Sequence, residues 1–418
     1  YIGSDVEDDG IYDGEIINHL LWKEKENLPK KAVLTEAEGK LVARYSLPVM
    51  EMEDMQVKEV IYTPLGETVL DFGQNFAGYV TFRNHLPEGT RIVFDHGEIL
   101  QDGNFYNENY RSAKSQFVYV SDGRDELVRP SFTYFGFRYV RVTGWPGEAK
   151  EEDFTGKALY SKMDRTGYIE TGHQGVNRLF LNALWGQKSN FIDFPTDCPQ
   201  RDERLGWTGD AQVFSGTASF NMDTTAFYHK FLHDLRNEQV KYDGILPGVI
   251  PVLDPNGPIF SSVWGDIATI LPMVVYEHSG NVETLRENYP MMKDWVDKIT
   301  KEDKARGQKY LYDFGNQLGD WLALDGRTEQ SMEGGTDAYY IGSNYYAMSV
   351  QKTATAAEIL GYKEDEAYYK DLYEKIKAAI IREYFTETGR LAIDSQTGYI
   401  VALYSGIYRD KEAVVAGL

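Results

Sequence analysis

Cysteine is almost absent from this sequence of 418 residues, since Cys198 is its only one. A single thiol excludes an internal disulfide and any zinc site built from several cysteines. No apolar run reaches the roughly 18 residues that a transmembrane helix needs, so a membrane partner is not expected. Histidine is scarce, and the pair His229 and His233 lacks the adjoining glutamate of a zinc-protease helix. We therefore expect no metal and no cofactor.

Basic residues are fewer than acidic ones, and the formal net charge is -22. Such a surface repels the phosphates of nucleic acids and the head groups of anionic lipids, so nucleic acid is excluded as an expected partner. Tyr1 opens onto an acidic stretch that lacks the basic and apolar regions of a secretion signal. The expectation is a cytoplasmic location, and a homodimer is left open.

The chain is longer than the roughly 250–300 residues of one hydrophobic core, so we expect a multidomain β + α protein. Residues 47–156 alternate short runs rich in Val, Ile, Tyr and Phe with turn residues, a pattern typical of a jelly-roll-like β-sandwich. Residues 157–418 carry apolar residues at helical spacing between loops rich in Trp, Asp and Gly, which indicates a helical barrel with its chemistry on one rim. Residues 1–46 are interpreted as the end of a preceding domain.

One loop of the helical region is dense in acids, in the segment FIDFPTDCPQRDERLGWTGD that begins at Phe191. Glycoside hydrolysis needs one carboxylic acid to protonate the leaving oxygen and a second carboxylate to activate water or attack the sugar. Prolines and glycines are expected to keep the segment from forming a long helix, so its acids can converge. Arg201 and Arg204 are candidates to hold neighbouring carboxylates ionised. The carboxylates of the loop are Asp193, Asp197, Asp202, Glu203 and Asp210.

Two further loops also place an indole close to a carboxylate. Indoles stack on the apolar face of a sugar, and carboxylates accept hydrogen bonds from its hydroxyl groups. The alternatives are purely structural roles: the tryptophans belong to the core, and Asp210 is the N-cap of the helix that follows it. Cys198 has no histidine in its loop to activate it as a nucleophile. The candidate substrate-binding residues are Asp197, Arg201, Asp202, Trp207, Asp210, Trp264, Asp266, Asp320 and Trp321.

The segment DCPQRDERLGWTGD, from Asp197 to Asp210, resembles the signature of the bacterial and fungal α-L-rhamnosidases. The upstream stretches DFGQNFAGYV, GEILQDGNFYNENYRSA and FTYFGFRYVRVTG resemble the same family in the same order. The resemblance implies a β-sandwich followed by an (α/α)6 barrel of the six-hairpin glycosidase type. It also implies an inverting hydrolase that releases L-rhamnose from the non-reducing end of rhamnose-containing glycosides.

The family's general acid is a glutamate within this signature, which carries over to Glu203, while Asp197, Asp202 and Asp210 are implied to bind sugar hydroxyls. Some members have a shorter signature, so Asp202 stays an alternative for the acid. The family's general base is a glutamate from a later part of the barrel. We therefore expect that both ends of the chain are truncated, that the barrel is incomplete, that the base lies beyond residue 418, and that the chain alone is inactive.

Two other functions stay open. The first is a different carbohydrate-active enzyme on the same barrel, either a hydrolase of another sugar or a phosphorylase, because many families share this fold. The second is a sugar-binding protein without catalysis, for which the loops with tryptophan and acid suffice.

Overall fold

The computed structural model describes residues 4–21, 33–36, 38–253, 258–326, 328 and 331–418. The chain forms two compact units. The first comprises Tyr1–Asp164 and Tyr168–Arg204, and the second comprises Arg165–Gly167 and Leu205–Leu418. Strands dominate the first unit and helices the second, which confirms the predicted combination of a β domain with a helical domain. Part of the predicted remnant at residues 1–46, namely 1–3, 22–32 and 37, lies outside the described residues.

The first unit is built on one large sheet of ten strands. Its central order is β1-β2-β9-β6-β11-β5-β12-β3, with β4 and β10 also paired to β5. Two small hairpins, β7–β8 and β13–β14, lie outside it. The strands are β1 Val6–Gly10, β2 Gly14–Asn18, β3 Val49–Gln56, β4 Glu59–Tyr62, β5 Thr68–Asn84, β6 Arg91–Gly97, β7 Ile99–Gln101, β8 Asn104–Tyr106, β9 Gln116–Val120, β10 Glu126–Val128, β11 Phe135–Thr143, β12 Phe154–Ser161, β13 Phe191–Ile192 and β14 Phe194–Pro195.

The long strand β5 makes the sheet curl, because it pairs with β4 near its start and with β10 and β12 near its end. Aromatic side chains fill the inside of the curl: the rings of Phe72, Phe76 and Phe137 have centroids 4.5–5.6 Å apart. Gly78 lets β12 approach, since a Cβ there would lie 1.8 Å from the carbonyl oxygen of Lys157. Aromatic and β-branched residues favour such a pleated, buried surface.

The first unit also contains the helix α1, Gln174–Asn190. It packs on β5 and β12. The apolar spacing of Val176, Leu179, Phe180, Ala183 and Leu184 predicts one buried stripe, and the structure confirms it in part. Phe180 and Leu184 are buried, whereas Val176 is 44% and Leu179 67% exposed. The acidic segment therefore begins directly after a helix that is packed on the sheet.

The second unit is helical, and the predicted helices are confirmed. Consecutive helices contact each other along the chain from α3 to α7. A buried cluster that includes Met273, Leu285 and Ala357 joins three of them. No described helix is long and apolar enough to cross a bilayer. The helices are α2 Thr208–Asn221, α3 Thr225–Lys241, α4 Ile267–Ser279, α5 Val282–Ala305, α6 Ala338–Leu360, α7 Lys363–Tyr384, α8 Gln396–Ser405 and α9 Lys411–Gly417.

Candidate active site

The acidic segment leaves α1 through the short hairpin β13–β14 and then runs as an irregular loop to Arg204. Two of its residues, Asp193 and Arg204, adopt positive φ angles of 69° and 48°, which turn the chain sharply. Pro199 lies against the start of β11, where a Cβ at Gly136 would meet the proline ring at 2.8 Å. The loop is therefore seated on the sheet of the first unit.

Arg204 anchors this loop by binding backbone carbonyls, so the prediction that it holds neighbouring carboxylates ionised is wrong. Its guanidinium donates hydrogen bonds to the carbonyl oxygens of Ile11 at 2.7 Å, Tyr134 at 2.8 Å and Gln200 at 3.1 Å. The side chain is buried, and this burial lowers the pKa of Arg204. Its three partners lie far apart in sequence, so Arg204 ties the acidic loop to the β1–β2 turn and to the entry of β11.

Glu203, the predicted acid, lies between two guanidinium groups. Its Oε2 is 2.9 Å from Nη2 of Arg201 and 3.2 Å from Nη1 of Arg111. The backbone carbonyl of Glu203 accepts a 2.6 Å hydrogen bond from the hydroxyl of Tyr12. The carboxylate is thus held from both sides, while 21% of its side chain stays accessible.

Asp202, the alternative acid, is fixed by a different partner. Its Oδ2 accepts hydrogen bonds from the hydroxyl of Ser112 at 2.6 Å and from the backbone amide of Ser112 at 3.2 Å. These hydrogen bonds lower the pKa of Asp202. A lowered pKa favours the ionised form, which suits a hydrogen-bond acceptor better than a proton donor.

Asp197, Cys198 and Glu203 form a compact cluster, in which one carboxylate oxygen of each acid and the thiol sulfur lie within 4.8 Å of one another. Asp197 and Glu203, both predicted site residues, are therefore brought together. Burial raises the pKa of the Cys198 thiol to about 11. A thiol with that pKa is protonated near neutral pH, which agrees with the expectation that Cys198 is not a nucleophile.

In the second unit, the acidic segment continues into α2, which begins at Thr208. The N-cap of α2 is Trp207 and Asp210 lies in its first turn, so the alternative that Asp210 is the N-cap is wrong. Asp210 is exposed at the positive end of the helix dipole. Gly209 lies within this helix, although the glycines of the segment were expected to keep it irregular. The irregular loop therefore ends before Gly209.

Trp207 and Trp264 lie on the same side of the second unit, around Gly248. A Cβ at Gly248 would be 3.8 Å from the Trp207 ring and 3.6 Å from the Trp264 ring. A Cβ at Gly209 would come within 2.7 Å of the Trp264 indole, so only glycine permits this approach of α2. Trp264 is 9% exposed, and its indole Nε1 is buried and meets no acceptor among the described residues.

Asp266 is fully buried, which does not fit the predicted contact with a sugar. Its Oδ1 accepts hydrogen bonds from Trp295 at 2.9 Å and Ser349 at 2.5 Å, and its Oδ2 accepts one from the backbone amide of Val263 at 2.8 Å. Burial raises the pKa of Asp266. Asp266 therefore joins α4, α5 and α6 and positions the loop of Trp264.

Asp320 and Trp321 lie in a loop of the second unit that is tied to the loop of Trp264. Gln317 accepts a 2.8 Å hydrogen bond from the backbone amide of Ser262. Asp320 accepts a 3.2 Å hydrogen bond from Thr336 and is half-buried. Trp321 is 44% exposed, as a stacking platform would need to be.

The two histidines of α3 contact neighbouring side chains. His229 lies 3.2 Å from Glu287, and His233 lies 3.1 Å from the side-chain amide of Asn237. These contacts agree with the interpretation of the two residues as a satisfied surface or core pair of the helix.

Sequence reasoning missed Tyr12, Arg111 and Ser112, all of which contact Asp202 or Glu203 from the β part of the chain. Arg111 and Ser112 belong to the stretch GEILQDGNFYNENYRSA, which resembled the rhamnosidase family. That resemblance was the only signal for them, because nothing in the local pattern of a β segment points to a loop about 90 residues later. Arg111 adopts a φ of 61°, and only the folded chain shows this.

Two family models match this chain. The bacterial α-L-rhamnosidase six-hairpin glycosidase domain matches residues 164–417, which is more than half of the chain. The chain belongs to the bacterial α-L-rhamnosidase family. The concanavalin-like domain of the same family matches residues 61–160. The predicted family is thereby confirmed.

Individual α-L-rhamnosidases resemble the chain over nearly its whole length. One from Formosa agariphila is 34% identical over 414 residues, which cover 94% of this chain and 43% of that protein. The crystal structure of the α-L-rhamnosidase from Aspergillus terreus superposes with a TM-score of 0.91 at 33% identity, covering 99% of this chain and 49% of that one. The α-L-rhamnosidase of Streptomyces avermitilis, solved with L-rhamnose, gives a TM-score of 0.87 at 31% identity, covering 99% and 40%. The chain thus spans less than half the length of each.

Proposed function

We propose that the protein carrying this chain hydrolyses terminal α-L-rhamnosides with inversion at the anomeric carbon and that Glu203 is the general acid. The observation that carries the proposal is the position of Glu203 in a family signature whose loop is seated on the sheet by Arg204. Its carboxylate is partly accessible and lies beside Asp197. The substrates proposed are rhamnose-containing glycosides or oligosaccharides.

Asp197 is proposed as a ligand of a sugar hydroxyl and not as the general base. An inverting acid and base are separated by roughly 6.5–9.5 Å so that a water fits between them. One carboxylate oxygen of Asp197 lies within 4.8 Å of one of Glu203, which is closer than the spacing of an inverting pair. A base from outside this cluster is therefore part of the proposal. Asp202 and Arg201 are proposed to bind hydroxyl groups, because both offer polar atoms beside Glu203.

In the second unit, Trp207 and Trp264 are proposed to contact the apolar side of the sugar. The buried Nε1 of Trp264 has no acceptor among the described residues, and a sugar hydroxyl would supply one. Asp210, Asp320 and Trp321 stay proposed substrate contacts, since all three are at least partly exposed. Asp266 is proposed to position Trp264 through the backbone of Val263.

Glu203→Gln tests the assignment of the acid in the protein that carries this chain. Because the amide cannot protonate a leaving oxygen, we expect kcat on an alkyl or flavonoid rhamnoside to fall by about 10²–10⁴-fold. The loss should shrink on aryl rhamnosides with acidic leaving groups, which need no proton. Proton NMR of the first product should show β-L-rhamnose, as inversion requires.

Glu287→Gln is a matched control, since this glutamate is exposed on α5 and its carboxylate pairs with His229. It should leave kcat unchanged. Activity of Glu203→Gln within about threefold of the unmodified protein, or the same loss for every leaving group, would exclude Glu203 as the acid. A leaving-group dependence found instead in Asp202→Asn would move the role to Asp202.

The domain boundaries, the cellular location and the oligomeric state also remain proposals. They are the division at residues 46/47 and 156/157, a cytoplasmic location and the open alternative of a homodimer. Limited proteolysis tests the division, because cleavage concentrates in exposed connections between domains. Analytical ultracentrifugation tests the dimer.

A further inference from the structure

A groove of about 490 Å³ lies in the first unit, between one face of α1 and the sheet residues around Gln74 and Glu98. Its volume falls within the roughly 300–1,000 Å³ typical of small-molecule sites. Pro199 of the acidic loop forms part of its rim, yet Asp197, Asp202 and Glu203 do not line it. The groove is therefore distinct from the carboxylate cluster described above.

The helical wall of the groove includes Arg178, Asn182 and Trp185. Their spacing of four and three residues places them on one face of α1. Arg178 and Asn182 are exposed, and Trp185 is half-buried because part of its ring packs against the core of the sheet. Nζ of Lys188, which pairs with Glu53, lies 4.2 Å from the centroid of the Trp185 ring. This wall thus offers the remaining surface of a fixed aromatic ring, with a guanidinium and an amide beside it.

The sheet wall carries Gln74, Asn75 and Glu98. The amide of Asn75 donates a 2.6 Å hydrogen bond to Glu98, which fixes the carboxylate. The side-chain Nε2 of Gln74 is buried and meets no acceptor among the described residues. A buried donor without an acceptor costs about 1–3 kcal/mol, and a ligand oxygen in the groove would remove that cost.

The charges of the lining nearly cancel. Arg138 is already paired with Asp71 through two hydrogen bonds of 2.8 Å. Glu98 and Arg178 remain, with one charge of each sign. A lining without net charge, in a protein of net charge -22, is suited to a neutral ligand and not to an anion or a cation.

We propose that this groove is a second saccharide-binding site that takes a neutral sugar unit. Amides and a carboxylate match the mixed donors and acceptors of sugar hydroxyls, and the indole of Trp185 matches the apolar face of a pyranose. The proposal goes beyond the hydrolysis proposed above and does not depend on it, since none of the candidate catalytic groups takes part.

The test follows the indole N–H signals of the protein by NMR in a Glu203→Gln background, which should slow hydrolysis of a disaccharide, while the two monosaccharides need no such protection. The chain has seven tryptophans, and the signal that disappears in Trp185→Phe identifies Trp185. L-rhamnose, D-glucose and the disaccharide rutinose are titrated to about 100 mM, well above the millimolar Kd expected of an open sugar site. At least one sugar should shift the Trp185 signal in a saturable manner.

The double substitution Arg178→Ala with Asn182→Ala removes two polar contacts and should raise that Kd at least about tenfold. Arg409→Ala, an exposed arginine of the second unit, is the control and should leave the Kd unchanged. A Trp185 signal that does not move with any of the three sugars would overturn the proposal. So would an unchanged Kd in the double variant, whereas failure of the rhamnosidase assignment would appear only in the hydrolysis assay.

Discussion

Replacement of Arg204 by methionine tests how the acidic loop is held on the sheet. Methionine keeps much of the length of the side chain but removes the guanidinium, so the carbonyl oxygens of Ile11, Tyr134 and Gln200 lose their donor. These three hydrogen bonds are partly buried, and each carbonyl left without a donor costs about 1–3 kcal/mol where water does not replace the guanidinium. The variant no longer has to bury a cation, which offsets part of the sum. We expect a net loss of about 3–5 kcal/mol in the stability of this part of the first unit.

Hydrogen exchange followed by mass spectrometry is the appropriate assay, because it reports stability segment by segment in a chain with two compact units. Protection should fall in the β1–β2 turn, at the start of β11 and in the acidic loop, while α4 to α7 keep their protection. Arg204→Lys should recover only part of the loss, since one ammonium cannot reach three carbonyls in the fork geometry of a guanidinium.

Arg111→Met serves as the stability control, because Arg111 is 53% exposed and contacts carboxylates across 3.2 and 3.7 Å. Exposed ion pairs of this kind contribute about 0–1 kcal/mol. If Arg204→Met also changed protection by less than about 1 kcal/mol, the three hydrogen bonds would not be what fixes the loop.

Ser112→Ala removes the hydroxyl that donates to Asp202, so the pKa of Asp202 should rise toward its ordinary value in a carboxyl carbon NMR titration. A pKa that is lower in the folded state stabilises the protein at any pH above the unfolded-state pKa. The difference in stability between wild type and variant should therefore be seen at pH 7 and vanish as the pH falls through the folded-state pKa. An unchanged pKa of Asp202 in the variant would contradict this. Asp266→Ala leaves the buried indole N–H of Trp295 without an acceptor and should lower the free energy of unfolding by about 2–4 kcal/mol in urea denaturation. Asp320→Ala is its control, and an equal loss there would show that burial does not set the cost.

The regular elements of this protein follow from local sequence. The apolar spacing in α1 and the run of Val, Phe and Tyr in β5 each predicted the observed element, because burial of one face selects the period of the pattern. The caps were less predictable. Trp207 is the N-cap of α2 although Asp210 has the better capping side chain, because the path of the chain at Gly206–Thr208 decides where the helix begins.

The roles of the acids depended on contacts between distant parts of the chain. Asp266 and Asp320 each lie close to a tryptophan in sequence, and the pattern gave both the same role. Asp266 became a buried acceptor because Trp295 and Ser349, which are 29 and 83 residues away, donate to it. The Asp320 carboxylate accepts a hydrogen bond from Thr336, and the residue stays partly exposed. No local pattern separates two such residues.

The acidic loop lies within the part of the chain matched by the six-hairpin glycosidase model, yet it folds with the sheet. Tyr12, Arg111 and Ser112 contact Asp202 or Glu203, and all three lie outside that matched region. Removal of the β segment would therefore leave Glu203 without one of its two arginine partners and Asp202 without its hydroxyl donor. The sheet is thus part of the candidate active site, because it sets the position and the electrostatic surroundings of the proposed acid.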